Sequence, residues 1–201
     1  MKVEVVTYQD WRQMNWQKED VVVTVSKSDN WTRGLSPFVL GPCKLYDPFV
    51  SMNMENAWQF SKVYSEFLDG DNIKPEYWDW CKKGWGDKKA YRYPMGKGRI
   101  PSFSLWGEER LGYIEARKRI YIPLYFRAVK DTSSFKKLKE VYEEHKTFDR
   151  DLYLIDFDAY RHRMFNMSYN DVINCSSRKM GHAFVLAMAL ECPEELEKLE
   201  L

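Results

Sequence analysis

The chain has 201 residues, of which 44% are hydrophobic, with 31 Lys and Arg against 30 Asp and Glu. This length suits one domain with a sizeable core, so we expect a single domain over residues 1–201. A net charge of +1 gives no overall attraction to polyanions, and any nucleic-acid contact must be local. Aromatic residues make up 16%, which is typical either of a ring-lined binding site or of an aromatic-rich core.

Metal, cofactor and membrane functions are not indicated by the composition. The four cysteines lack the close spacing of zinc ligands, and there are only three histidines, so we expect no metal and no cofactor. The longest apolar run, 183–190, is too short to cross a bilayer. We therefore expect a cytoplasmic protein with reduced thiols, and the oligomeric state stays open.

The apolar spacing predicts strands scattered between several helices, which favours an α+β fold. The predicted strands are 3–8, 21–26 and 152–157. The predicted helices are 53–67 with Asn53 as N-cap, 75–80, 108–130 with a kink at Pro123, a helix from about residue 132, a short one at 168–173, and a last one capped by Ser177 and ended by Pro193. Residues 84–107 are rich in Gly, Lys and aromatic residues and look irregular. We interpret the whole segment 69–107 as an inserted excursion or lid.

The predicted helix 53–67 carries a polar stripe beside its apolar face. Glu55, Gln59, Lys62 and Glu66 follow one another at steps of four, three and four residues. A solvated stripe of weak ion pairs is one interpretation. The other is a partly buried Glu55 next to Trp58, because burial raises the pKa of a carboxyl group and suits it to acid–base chemistry.

Three later segments offer further candidate groups. Asp156 and Asp158 lie at the end of a predicted strand and serve either as turn residues or as catalytic carboxylates. Residues 92–99 place Arg92 and other cations around glycines, in a loop that either holds a phosphate or is plain surface. Residues 178–182 open the last predicted helix, where backbone amides could receive an anion, while His182 alone is more typical of a structural histidine.

Several segments, taken in order, resemble the NADAR family, whose fold is also called YbiA-like. They are Leu35-Ser36-Pro37-Phe38, then Glu55 to Lys62 with Trp58 and Gln59, then residues 113–118 and 124–129, then Leu154-Ile155-Asp156-Phe157-Asp158, and finally residues 180–188. The succession covers most of residues 31–190 and is similar to a divergent, bacteriophage-type member. Where the family has Trp-Gly after its acidic residue, this chain has Ala159-Tyr160, and residues 69–107 have no family counterpart.

The resemblance implies a hydrolase of N-glycosidic bonds in ribosyl compounds. By it, Glu55 matches the family's essential glutamate, Asp158 its later acidic residue and Asp156 a further catalytic candidate. The substrate-binding candidates are Trp58, Gln59, Lys62, Arg33, Arg92, Trp106, Tyr160 and His182. We expect a nucleotide or ADP-ribose-type small molecule, or a modified base in single-stranded nucleic acid.

Two other classes of function stay open. A non-catalytic protein of the same fold would bind a nucleotide, a nucleic acid or a partner, as a phage accessory protein does. A structural or assembly protein would use its aromatic residues in an oligomer interface. Release of a free base separates the enzyme from the binder, and the position of Glu55 relative to Asp158 is the structural observation that matters most.

Overall fold

The computed structural model describes residues 1–13, 20–28 and 30–199. Its strands are β1 Val3–Thr7, β2 Val21–Val23, β3 Cys43–Lys44, β4 Val50–Ser51, β5 Lys62–Val63, β6 Leu68–Asp69, β7 Asn72–Ile73, β8 Phe103–Trp106, β9 Glu109–Leu111 and β10 Leu152–Asp156. Its α-helices are α1 Tyr8–Gln13, α2 Met54–Gln59, α3 Pro75–Gly86, α4 Tyr113–Ala116, α5 Ile122–Val129, α6 Ser133–Thr147, α7 Tyr169–Asn174, α8 His182–Glu191 and α9 Pro193–Glu197. Small sheets among helices confirm the predicted α+β class.

The largest sheet is parallel and has β10 at its centre. The strand order is β1-β10-β2, with Val3 opposite Leu152 and Val22 opposite Leu154. Parallel strands are normally covered on both faces and read as apolar runs, as Val3–Thr7 and Leu152–Asp156 do. Helix α8 packs on this sheet and is buried from His182 to Leu190, so it lies inside the core. Asp156 therefore sits at the carboxyl end of the central strand, beside the start of α8.

The predicted helix 53–67 is wrong in length, since α2 ends at Gln59. Its first turn is as predicted, because the Asn53 side chain accepts a hydrogen bond from the Asn56 amide at 2.8 Å. After Phe60 the chain becomes extended, and Lys62 and Val63 pair with β8. Val63 and Tyr64 are also buried, so apolar residues continue in the sequence beyond the end of the helix. Glu66 thus leaves the polar stripe and pairs with Arg99 at the surface.

Two other predicted helices change at their ends. Within 108–130, Glu109–Leu111 forms strand β9, and the helical part runs from Tyr113 to Val129. Its turns at Arg117–Tyr121 are π-helical, immediately before Pro123, where the sequence predicts a kink. The helix predicted at 75–80 extends to Gly86, while α6 and α7 begin close to the predicted positions, with Thr132 and Ser168 as their N-caps.

The segment 69–107 divides into two parts that behave differently. Helix α3 packs into the core through Tyr77, Cys81 and Trp85, and Gly84 lies so close to the ring of Phe60 that a Cβ would overlap it. Residues 92–101 instead form an irregular stretch with exposed side chains, including Ile100. Helix α3 is therefore part of the core, whereas residues 92–101 form an exposed stretch before strand β8. Among the described residues, no helix has the length and apolar character needed to span a membrane.

Candidate active site

A cavity of about 870 Å³ lies at the carboxyl end of β10. That volume is within the range of small-molecule binding pockets. Its walls come from α2, the rim segment 92–101, the π-helical turns and the residues that precede α8. The predicted site residues that line it are Glu55, Trp58, Gln59, Lys62, Arg92, Asp156, Asp158 and His182. The fold thus brings Glu55 of α2 and the two aspartates at the end of β10 to the walls of one cavity.

Glu55 is the buried acid of the cavity. It lies in the first turn of α2, where its amide donates to the Pro37 carbonyl at 3.0 Å, and the residue is only 6% exposed. Its Oε1 accepts a hydrogen bond from Gln59 Nε2 at 2.9 Å. Burial raises the pKa of Glu55, while the Gln59 hydrogen bond and the charge of Lys62 oppose the rise. A carboxyl group with a raised pKa can exchange protons close to neutral pH.

Gln59 connects Glu55 to Lys62 along the cavity wall. Lys62 Nζ donates to Gln59 Oε1 at 2.7 Å and lies 4.6 Å from the centroid of the Trp58 ring. The donor of the Gln59 amide therefore faces Glu55, and its acceptor faces Lys62. Burial lowers the pKa of Lys62 to about 8. Three members of the predicted stripe, Glu55, Gln59 and Lys62, thus form a hydrogen-bonded row along the cavity wall, whereas Glu66 forms a surface ion pair.

Asp156 has both carboxylate oxygens occupied by protein donors. Oδ1 accepts from the Phe157 amide at 2.6 Å, and Oδ2 accepts from the Ala183 amide at 3.2 Å. Oδ2 also lies 3.0 Å from His182 Nδ1. Burial acts to raise the pKa of Asp156, but the His182 pair and the two amides hold it below its usual value. These contacts tie the end of β10 to the start of α8, and the catalytic role of Asp156 stays a prediction.

Asp158 follows the strand and is the more accessible of the two acids. Its Oδ2 lies 2.8 Å from Arg92 Nη2, and Lys179 Nζ is 3.8 Å from Oδ1. About a third of each side chain in the Arg92 pair is exposed to the cavity and its mouth. The strand ends at Asp156, and both acids line the cavity, Asp156 with a buried carboxylate and Asp158 with a partly exposed one.

Arg117 and Tyr121 are buried cavity residues to which the sequence assigns no role. Arg117 is 2% exposed and donates to the carbonyl oxygens of Val172, Ile173, Cys175 and Arg178, at 2.9 to 3.1 Å. Tyr121 is buried with its ring centroid 5.2 Å from that of Trp58, and burial raises its pKa well above the usual value. Both lie in the π-helical turns Arg117–Tyr121, a kind of local widening that is frequent at functional sites.

Three predicted substrate-binding residues do not line the cavity. Arg33 is exposed in the 3₁₀ helix Trp31–Leu35. Trp106 packs edge-on against Tyr46, with 5.0 Å between ring centroids. Tyr160 packs at 5.0 Å on the ring of Phe184 in the core. The structure therefore does not bring these three side chains to the cavity, and their role in binding stays a prediction.

The predicted anion site at the last helix also needs correction. Helix α8 begins at His182 with Gly181 as its N-cap, and Ser177 does not cap it. The Ala183 amide is taken by Asp156, which supplies the negative charge that a helix N-terminus favours. Arg178 stacks on the ring of Phe165 at 4.1 Å, and Lys179 faces Asp158. An anion here would meet the side chains of Arg92 and Lys179, with the amide of Ala183 already occupied.

Comparison with family models, with curated proteins and with solved structures finds no match to this chain. Within residues 1–13, 20–28 and 30–199, no group of three or more His, Cys, Asp or Glu side chains could hold a metal ion. The family resemblance therefore stays a prediction.

Proposed function

We propose that the cavity binds a ribosyl nucleotide or an ADP-ribosylated base and hydrolyses its N-glycosidic bond. The observation that carries the proposal is the pair of Glu55 and Asp158 on the walls of one cavity, the first buried and the second in an ion pair with Arg92. Two carboxyl groups in different environments are the usual equipment for glycoside cleavage, because one exchanges a proton and the other stays charged.

The proposed chemistry divides the work between these two acids. The reaction passes through a cation on the sugar ring, so negative charge near the ring stabilises the transition state. Glu55, with its raised pKa, takes the proton from the attacking water as the water oxygen bonds to the sugar carbon and the C–N bond breaks. The electron pair of that bond leaves with the base, which takes up this proton, or the proton passes to solvent where the base was a cation such as nicotinamide. Asp158 supplies the stabilising carboxylate, and Gln59 holds the side chain of Glu55 in place through its 2.9 Å hydrogen bond.

The charge of the cavity supports an anionic ligand. The whole chain carries a net charge of +1, but seven cationic residues line the cavity against three acidic ones. The cations are Lys27, Lys62, Arg92, Arg99, Arg117, Arg178 and Lys179. Trp58 and Tyr121 offer ring faces for a base, and Arg92 and Lys179 lie where a phosphate would meet them. This combination fits a nucleotide better than a neutral nucleoside.

A non-catalytic binder is the second candidate, and one observation favours it. Arg92 and Asp158 already pair with each other, and both oxygens of Asp156 accept hydrogen bonds, so Glu55 is the cavity acid with the fewest partners. Such a site could hold a nucleotide through its cations and rings without cleaving it.

The test is incubation of the full chain with NAD, ADP-ribose, ADP-ribosylated oligonucleotides and modified nucleosides, followed by mass analysis. An enzyme releases a free base and a sugar product from at least one of them. A ligand that binds measurably and stays intact across the panel would replace the hydrolase with the binder. Neither binding nor cleavage would remove both candidates for these ligands.

A further inference from the structure

The ring of His182 lies between two hydrogen-bond acceptors. Nδ1 is 3.0 Å from Asp156 Oδ2, and Nε2 is 3.0 Å from the Thr24 carbonyl oxygen. A carbonyl oxygen can only accept, and Asp156 Oδ2 already accepts from the Ala183 amide. A neutral imidazole has one N–H and would leave one of these oxygens facing a lone pair. Both ring nitrogens must therefore donate.

We propose that His182 is held permanently as an imidazolium and serves as a positioning residue, not as an acid or base. Its positioning role rests on the proposed function, whereas its protonation state does not. A histidine paired with an aspartate commonly suggests a catalytic dyad, in which the second nitrogen faces the substrate. Here that nitrogen faces the Thr24 carbonyl, so the ring has no nitrogen free to exchange a proton with a ligand.

The surroundings of the ring are consistent with a fixed charge. His182 is 5% exposed, and the acids near it are Asp156 at the end of β10 and Glu55 on α2, while Tyr125 of α5 packs at 5.5 Å. Burial alone disfavours the imidazolium, but the pair with Asp156 and the hydrogen bond to Thr24 raise the pKa of His182. A buried cation with hydrogen-bonded partners is held firmly, and removal of one partner is costly.

The imidazolium connects three walls of the site. Through Thr24 it contacts the chain after β2, through Asp156 it contacts the central strand, and its own backbone begins α8. These contacts fix the turn that carries Asp158 into the cavity. The ring also places a positive charge behind Glu55, which lowers the pKa of that buried carboxyl group relative to burial alone.

Nitrogen NMR of the three histidine rings in the full chain tests the protonation state directly. We expect His182 to show two protonated nitrogens from about pH 5 to about pH 8, although a free histidine titrates near 6.5. Burial lowers the pKa of His162 to about 4, so His162 should stay neutral in the same spectra and serve as the internal contrast. A single protonated nitrogen on His182 at about pH 7 would overturn the proposal.

Assignment uses His145→Gln and His162→Gln, so that His182 is identified even if its own replacement does not fold. Asp156→Asn supplies a matched variant, because it removes the charge and keeps the shape. We expect the His182 ring in Asp156→Asn to lose one proton near neutral pH, and an unchanged imidazolium there would contradict the role given to Asp156.

The spectra need no substrate, so this inference and the proposed function fail separately. An inactive protein with a doubly protonated ring removes the hydrolase, and with it the positioning role, but leaves the fixed imidazolium in place. An active enzyme whose His182 titrates near 6.5, with a matching limb in its pH–rate profile, removes only the positioning role and makes His182 the acid–base group.

Discussion

Arg92 and Asp158 form an ion pair of 2.8 Å between positions 66 residues apart, and this pair attaches the rim segment 92–101 to the end of the central strand. We predict that Arg92→Gln weakens binding of ADP-ribose by roughly ten- to hundredfold. The variant loses a cation that would contact phosphate, and it also exposes the charge of Asp158 to the ligand. Isothermal titration with ADP-ribose measures the change.

Arg119→Gln is the control for that experiment. Arg119 also pairs with a carboxylate, Glu109, at 2.6 Å, but this pair lies outside the cavity. Its replacement changes the net charge equally and should leave the affinity within about twofold. Equal losses in the two variants would mean that general charge, not the Arg92 position, governs binding.

Gly181 packs against the acidic cluster so closely that it has no room for a side chain. A Cβ there would lie 2.2 Å from Asp156 Oδ2 and 2.7 Å from the Asp158 carbonyl oxygen. We predict that Gly181→Ala lowers the free energy of unfolding by about 1–3 kcal/mol and displaces both acids. Urea unfolding checks the stability, and the His182 ring spectrum checks the displacement.

Gly112 offers a matched comparison for Gly181. It is likewise an N-cap with an extended backbone, but a Cβ there would meet no atom within 4 Å. Gly112→Ala should change stability by less than about 1 kcal/mol. If both variants lost the same stability, the cause would be the alanine at an N-cap and not the contact with Asp156.

Much of the site could be predicted from the sequence, because the residues that indicate it lie next to one another in the chain. Asn53 as N-cap and Glu55 in the first turn follow from residue type at adjacent positions, and the apolar run at 152–156 marks the buried central strand. The end of α2 was not predictable in the same way. Ser61, Val63 and Tyr64 keep a helix-like apolar spacing, yet pairing of Lys62 and Val63 with β8 forty residues later decides their conformation.

The roles of the acidic residues depend on contacts that no local pattern contains. Asp156 and Asp158 look equivalent in the sequence, but only Asp156 meets the His182 ring and the amide at the start of α8. Ser177 looks like a helix cap, and the negative charge comes instead from Asp156, 27 residues before Ala183. From the sequence alone, Arg117 looks like a surface residue of a charged helix. Its carbonyl partners lie in a segment more than fifty residues away, so no local pattern indicates its burial.

The buried carboxyl group of Glu55 should lower stability at neutral pH. Its folded pKa is raised above the ordinary value of 4.5, so the folded protein binds more protons than the unfolded chain in the window above 4.5. Stability must then fall as the pH rises through that window. We predict that Glu55→Gln has a higher Tm than the parent at pH 7 and that the gap narrows toward pH 4.5.

Thermal unfolding followed at several pH values measures this difference. Glu140→Gln serves as the control, since Glu140 is an exposed carboxylate of α6 paired with Lys137. Its pH dependence should run parallel to that of the parent. If the Tm of Glu55→Gln varied with pH in parallel with that of the parent, burial would not destabilise the charged form of Glu55.

His162 should make the fold sensitive to acid. Burial lowers its pKa to about 4 from an ordinary 6.5, and its ring lies between those of Tyr169 and Phe184. Its Nδ1 has no hydrogen-bond partner among residues 1–13, 20–28 and 30–199. As the pH falls, the unfolded chain protonates His162 at a higher pH than the folded protein does. The folded state therefore loses stability as the pH falls from 6.5 toward 4. The loss is on the order of 3 kcal/mol, and His162→Phe should remove it in urea unfolding at pH 7 and pH 4.5. An equal acid loss in both proteins would refute this assignment.

The most direct test of the hydrolase is turnover in heavy-oxygen water with the parent chain and Glu55→Gln, using the substrate that the panel identifies. We predict that the parent releases a free base and a sugar carrying one labelled oxygen. Glu55→Gln should release both about a hundredfold or more slowly while remaining folded, since one such group is worth about 3 kcal/mol in the transition state. Equal rates in the two proteins, or a released sugar without label, would contradict the account.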